Sequence, residues 1–454
     1  MGEPQGERNA FYRTADLVVA LEHADLVVAT LEDLGVDFTE AERSDDLGLA
    51  LLRLNDEDTA NRIAAKIEER TEQEQAPHAR TALDRDLTAL RDYFAARYAG
   101  WTPTLGKNRL VGRVEGAGET GQIGHGGESD PEPPTGGPRP RPRMAHRPGL
   151  GARVAVLDTA VFAHPDLEGR CIGSPADFLD DEPESSIGCH GTFVTGLVLS
   201  MAPGCTVEVR KVLGEEDGAA ESWDLAKQIV AVGRTGVDVL NLSIVCYTED
   251  GQPPLVLATA IDRLDPDIVV VAAAGNHGYP EKEKRSWEKN KPAWPAALDD
   301  VIAVGAAGNE GKPAKFTPDD APWIDVWSNG VKVTSAFLHG DIPVRTDDAR
   351  TKEAPEAQTK EEPEVRTFEG YATWSGSSFA AALVSGAIAA GTVPGRTSAR
   401  AAWKELSERA AKESAKARAA GAPQPVVTAR KGPAAEEARP KPAPRRPPFL
   451  RLLA

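Results

Sequence analysis

The sequence predicts an α/β protein: a mostly parallel sheet covered by helices on both faces, preceded by a small α+β domain. Three observations carry this expectation. Short runs rich in Val, Ile and Ala recur at 153–157, 207–213, 237–244, 268–274 and 301–306, the texture of strands buried on both faces. Helical stretches lie between them at 222–233 and 255–264, and such alternation implies parallel strands joined by crossovers. The composition changes at 114–149, where Gly, Pro, Glu and Arg predominate, so residues 1–113 form a unit of their own.

In that first unit the string Ala15-Asp16-Leu17-Val18-Val19-Ala20 recurs as Ala24-Asp25-Leu26-Val27-Val28-Ala29. Periodicity alone does not tell strand from helix in so short a run. We expect a strand over 16–20 and a helix over 23–34 closed by Gly35. A second strand is expected over 47–54, where Leu47, Leu49 and Leu51 alternate, and a helix over 58–70. A further helix over 81–98 places Leu83, Leu87, Leu90 and Phe94 on one face. Residues 114–149 read as a flexible linker.

The second unit spans 150–400. It is interrupted at 344–366 by charged, Pro-containing sequence that reads as an exposed insertion. A charged helix is expected over 401–418, and the rest of 401–454 reads as a basic, Pro/Ala-rich disordered tail.

The 454 residues carry a formal net charge of −18. That argues against a nucleic-acid partner, which needs clustered Lys and Arg to neutralise phosphate. No stretch is long and apolar enough for a bilayer, and Met1-Gly2-Glu3-Pro4 does not begin a basic and apolar leader. The expectation is a cytoplasmic protein with no membrane partner. Cys171, Cys189, Cys205 and Cys246 form no CxxC pattern and read as free thiols.

Three remote segments carry chemistry-bearing side chains in the order Asp, His, Ser. Asp158 ends an apolar strand, at the carboxyl edge where open α/β sheets form their sites. A carboxylate there can hold a histidine in one tautomer. His190 opens a small-residue helix in which Gly191 and Gly196 permit close packing, and imidazole is the natural base near neutral pH. Ser378 opens the helix 378–390, whose N-terminus offers free N–H groups and the positive dipole end. Ser375 and Ser377 are competing nucleophiles on residue type alone. Asn276, after strand 268–274 and Gly275, can donate its amide to a developing oxyanion.

These blocks resemble the subtilisin-like (subtilase) family of serine peptidases. The resemblance rests on Asp158-Thr159 with His164-Pro165-Asp166-Leu167, His190-Gly191-Thr192, Val239-Leu240-Asn241-Leu242-Ser243, Ala273-Ala274-Gly275-Asn276, Trp294-Pro295-Ala296 and Gly376-Ser377-Ser378-Phe379-Ala380. It selects Ser378 as nucleophile. It implies a subtilisin-like sheet and a serine endopeptidase working through an acyl-enzyme on protein or peptide substrates. It also implies a substrate strand along Ser243, Ile244 and Val245, with Ala273, Ala274 and Gly275 opposite. It requires no cofactor. Many members bind structural calcium, but no segment here is assigned to it.

Val245 and Cys246 stand where glycines are usual in the family. Their side chains are expected to narrow the substrate cleft or impede strand pairing, and so to restrict specificity. A second reading, a peptide-binding protein on an inactive peptidase scaffold, rests on the same two residues. The first unit reads as either a family-like pro-domain or a regulatory domain.

Overall fold

The computed structural model describes residues 12–55, 59–64, 82–113, 130–135, 148–179, 186–215, 218–248, 250–278, 291–308, 311–318, 321–344, 364–420 and 428–429. Most of the expected linker, the centre of the insertion, the end of the helix expected over 58–70 and the tail after 429 lie outside the described residues.

The first unit is an antiparallel sheet with helices on one face. Its elements are β1 (Tyr12–Ala20), α1 (Leu21–Asp33), β2 (Phe38–Ser44), β3 (Leu49–Leu54), α2 (Thr59–Ala64), α3 (Ala82–Arg97) and β4 (Leu105–Arg113), in sheet order β4-β1-β3-β2. The repeated hexapeptide is strand in its first copy and helix in its second. Gly35 follows α1 at φ 67°, a conformation glycine adopts without penalty.

The two faces of this sheet are buried differently. Leu17, Val19, Ala50 and Leu52 pack under α1 and α3 with Leu31, Leu87 and Phe94. Val18, Leu49, Leu51 and Val111 point the other way, into a core shared with Trp223, Leu225, Val256 and Leu257 of the second unit. Each Val or Leu so buried is worth roughly 1.5–3 kcal/mol. The exposed pair Asp46–Arg234 at 2.6 Å is worth about 0–1 kcal/mol. Apolar burial therefore fastens the two units together.

The second unit holds β5 (Arg153–Asp158), β6 (Val161–Phe162), β7 (Cys171–Ile172), β8 (Phe178–Leu179), α4 (His190–Met201), β9 (Thr206–Lys211), β10 (Ala219–Glu221), α5 (Ser222–Gly233), β11 (Val239–Leu242), β12 (Ile244–Val245), α6 (Leu255–Asp262), β13 (Val269–Ala273), β14 (Val301–Ala307), β15 (Val326–Asn329), β16 (Val333–Val344), β17 (Glu364–Trp374), α7 (Ser377–Gly391), α8 (Ala399–Ala420) and β18 (Thr428–Ala429). The main sheet has the order β18-β15-β14-β13-β11-β5-β9-β7. All its pairings are parallel except that of β18 with β15. Helices α4 and α7 cover one face, and α5 and α6 the other.

The expected run 237–244 divides at Ser243 into β11, inside the main sheet, and β12, outside it. The insertion at 344–366 is flanked by strand on both sides, because β16 and β17 form one long hairpin that continues into it. Within residues 130–135, expected as part of the free linker, Pro131 and Glu132 lie against β17, where Glu132 bridges Thr373.

Candidate active site

Asp158 is the last residue of β5 and His190 the first of α4, so one sheet edge and one helix start set their separation. Asp158 Oδ1 lies 2.7 Å from His190 Nδ1 and also accepts the Thr159 amide at 2.7 Å. Thr159 ties the two elements together. Its Oγ1 donates to the Gly188 carbonyl at 3.0 Å and accepts from the Gly191 amide at 2.9 Å. The imidazole is walled by Trp374, ring centroids 5.8 Å apart, and Phe379, 5.5 Å apart. With Nδ1–H held by a carboxylate, Nε2 is left as the basic nitrogen.

Ser378 occupies the first turn of α7 and is fully buried. A buried polar chain fixes that turn. Ser385 Oγ donates to Asn241 Oδ1 at 2.9 Å, Asn241 Nδ2 donates to Ser243 Oγ at 3.0 Å, and Ser243 Oγ donates to the Ser378 carbonyl at 3.0 Å. His190 Nε2 and Ser378 Oγ are both buried without a hydrogen bond among the described residues. Bonds between such groups are often long at rest and tighten when substrate binds.

The Ser377 amide donates to Asn276 Oδ1 at 2.9 Å. That bond fixes which way the side-chain amide faces, leaving Nδ2 as donor on the Gly376 side. Gly275, at φ 90°, makes the turn before it. A Cβ there would lie 2.6 Å from His277 Nδ1 and 2.9 Å from Tyr247 Oη.

The cleft beside these groups is filled by the chain itself. Strand β4 lies between β12 and β10, antiparallel to both. Arg113 faces Ile244 and Gly112 faces Val245; Val111 faces Ala220 across the other side. The Arg113 amide donates to the Gly218 carbonyl at 2.9 Å. Its guanidinium lies over the Trp374 ring, 5.9 Å from the centroid. Upstream, Asn108 Nδ2 donates to Asp16 Oδ2 and Glu221 Oε2 at 3.0 and 2.8 Å. Its Oδ1 accepts from the Trp223 amide at 3.1 Å, satisfying a free N–H at the start of α5.

The expected obstacle at Val245 does not materialise, because pairing is made there opposite Gly112. Cys246 turns to the other side and exchanges backbone hydrogen bonds with Trp294 at 2.7 and 2.9 Å. None of the four cysteines is in a disulfide. Burial pushes the Cys171 and Cys205 thiols up to about 12 and raises that of Cys189 as well, so these three are not ready thiolates near neutral pH. Among the described residues no group of three or more His, Cys, Asp or Glu gathers as for a metal ion, and no helix is long and apolar enough to cross a membrane.

A family model described as the subtilase family matches residues 149–422. The chain belongs to the subtilase family. Its similarity to subtilisin BL of Lederbergia lenta is 35% identity over 158 residues, 32% of this chain and 56% of that protein. The major intracellular serine protease of Bacillus subtilis (strain 168) is 29% identical over 160 residues, 32% of this chain and 48% of that protein. The chain thus spans about half the length of these curated relatives. In structure it resembles fervidolysin from Fervidobacterium pennivorans, a keratinolytic enzyme related to subtilisin. The TM-score is 0.51 at 16% identity, covering 85% of this chain and 55% of that one. That likeness is one of fold.

The subtilase fold gathers Asp158, His190, Ser378 and Asn276 at one end of its parallel sheet. Of the expected substrate strand, Ile244 and Val245 carry β4, whereas the Ser243 side chain holds the Ser378 turn. Ala273 ends β13, Ala274 donates its amide to the Val304 carbonyl at 2.9 Å, and Gly275 turns the chain into Asn276. Sequence reasoning missed Asn241 and Ser385, which look like ordinary strand and helix residues. It also missed β4 and β10, whose short and partly polar strings carry no period-2 signal.

Proposed function

We propose that the chain is a serine endopeptidase acting on protein or peptide substrates, and that its N-terminal domain holds the cleft closed. Ser378 Oγ attacks the scissile carbonyl while His190 Nε2 takes its proton and Asp158 stabilises the imidazolium. Asn276 Nδ2 and the Ser378 amide receive the oxyanion. His190 then returns the proton to the departing amine, leaving an acyl-enzyme that water hydrolyses by the same relay.

The 2.7 Å approach of Asp158 Oδ1 to His190 Nδ1, beside the buried start of α7, carries this reading. Strand addition is a recurrent way to hold an extended peptide, and β4 enters the cleft in that manner, as a pro-domain would. The side chain of Val245, facing Gly112 of β4 at a position where the family usually carries glycine, supports restricted rather than digestive specificity.

The test is casein hydrolysis by chain cut once in the 114–129 stretch with an added protease. Hydrolysis that vanishes in Ser378→Ala supports the reading. Equal peptide binding by both forms with no turnover by either makes the chain a binding protein instead.

A further inference from the structure

Beyond Arg113 the chain leaves the described residues, and it returns at Asp130 on the other side of the same centre. Glu132 and Thr373 exchange both backbone hydrogen bonds, at 2.9 and 2.8 Å. Arg366 Nη1 donates to the Pro131 carbonyl at 3.1 Å, while Nε and Nη2 of the same guanidinium donate to Glu364 at 2.8 and 3.3 Å. Asp130 and Pro131 are buried there.

Chain direction gives this docking its meaning. Strand β4 leads toward the nucleophile, since Arg113 pairs with Ile244, next to the Ser243 that holds the Ser378 carbonyl. Strand β17 also runs toward Ser378, and the bridge between Glu132 and Thr373 is antiparallel, so residues 130–133 lead away from it. Trp374 stands between the two, with the Arg113 guanidinium over its ring and its neighbour Thr373 paired to Glu132. The two stretches flank the nucleophile in the order of the acyl and leaving halves of a cleaved peptide.

We propose that the outer edge of β17, from Arg366 to Thr373, is a docking strand for the leaving half of the substrate. It selects extended, acidic, proline-bearing segments of the kind this chain lays there, Asp130-Pro131-Glu132-Pro133. Main-chain pairing supplies register, as in other strand-addition sites. Only Glu132 turns its N–H toward β17; the flanking positions, which point away, are prolines with no N–H to leave unpaired. Arg366 supplies the charge preference, with Asp130 and Glu132 adding to the field that Glu364 sets around it.

The assignment of a leaving half rests on the peptidase reading, so the test separates the two. In the full chain carrying Ser378→Ala, residues 130–133 are replaced by Gly-Ser-Gly-Ser to free the edge. A dye-labelled Ser-Asp-Pro-Glu-Pro-Pro-Thr peptide is titrated by anisotropy. The expected result is binding about tenfold tighter than that of the Lys-for-acid peptide, a gap that Arg366→Glu closes. Equal affinity for acidic and basic peptides overturns the proposal, as does equal binding by chain whose own 130–133 is in place.

Arg366→Glu also removes the Arg366–Glu364 pair within the hairpin, so Glu132→Lys is read separately by amide exchange at Thr373 in the intact chain. Faster exchange there is expected, and unchanged protection contradicts the docking. In Ser378 chain with the edge freed and cut once in the 114–129 stretch, peptides sharing Leu-Val-Gly-Arg-Val but differing in the leaving half are compared by kcat/KM. Equal rates overturn the selection while leaving the peptidase reading intact. Hydrolysis of none counts against the peptidase reading, and the anisotropy result then decides the docking alone.

Discussion

Gly112 faces Val245 in antiparallel register, and this pairing seats the last strand of the N-terminal domain beside the Ser378 turn that Ser243 holds. One residue upstream, Val111 is fully buried among Leu225, Ile244 and Val256. A carboxylate placed there has no partner for its charge, and such burial is strongly unfavourable. Val111→Asp is therefore expected to expel β4 and open the cleft. The check is the rate of casein hydrolysis by uncut chain, which rises in the variant; an unchanged rate means β4 does not gate access.

Asn276 is held by the Ser377 amide through its Oδ1, and in the proposed mechanism its Nδ2 is the group that turns to the oxyanion. Removing such a donor from subtilisin costs ~10²–10³ in turnover. Asn276→Ala is expected to lower kcat by a similar factor with little change in KM. A proportionate rise in KM instead would make Asn276 a binding residue.

Gly191 leaves no room for a side chain: a Cβ would stand 2.3 Å from the Thr159 carbonyl oxygen. Overpacking of this kind costs about 1–3 kcal/mol. The displacement falls next to His190, where a shift of about 1 Å can cost 10²-fold in rate. Gly191→Ala is expected to lower both the unfolding midpoint and kcat, measured on the same preparation.

His277 accepts from Tyr247 Oη at 2.8 Å and donates through Nε2 to the Lys291 carbonyl at 2.9 Å. Burial outweighs the help of that carbonyl and depresses the imidazole from 6.5 to about 4. The unfolded chain therefore binds a proton that the folded chain refuses between these values. Stability from this group is complete above about pH 6.5 and is lost as pH falls toward 4. In the Ser378→Ala background, which removes self-digestion, the unfolding midpoint is expected to fall over that window. The fall is shallower in His277→Gln.

Much of this architecture is legible in the sequence, and the reasons it is or is not are local. The Val-rich runs read as strands because both their faces are buried, as in Val269–Ala273. The two copies of Ala-Asp-Leu-Val-Val-Ala show the limit. Leu17 and Val19 face one core and Val18 the other, whereas the second copy buries Ala24 and Val27 and exposes Asp25. Tertiary surroundings decide between them. Strand β4 escaped because Lys107, Asn108 and Arg109 are buried polar residues satisfied by partners remote in sequence, such as Glu221 and Ser222. The docking of 130–135 escaped because prolines hide a pairing that needs one amide.

The central claim is that the fold activates the Ser378 hydroxyl, and the most direct measurement is active-site labelling. Chain cut in the 114–129 stretch is treated with a fluorophosphonate and the adduct mapped by peptide mass spectrometry. One adduct on Ser378, lost in His190→Ala, is the expected result. A folded, cut chain that takes no adduct, or takes it on Ser375 or Ser377, contradicts the account.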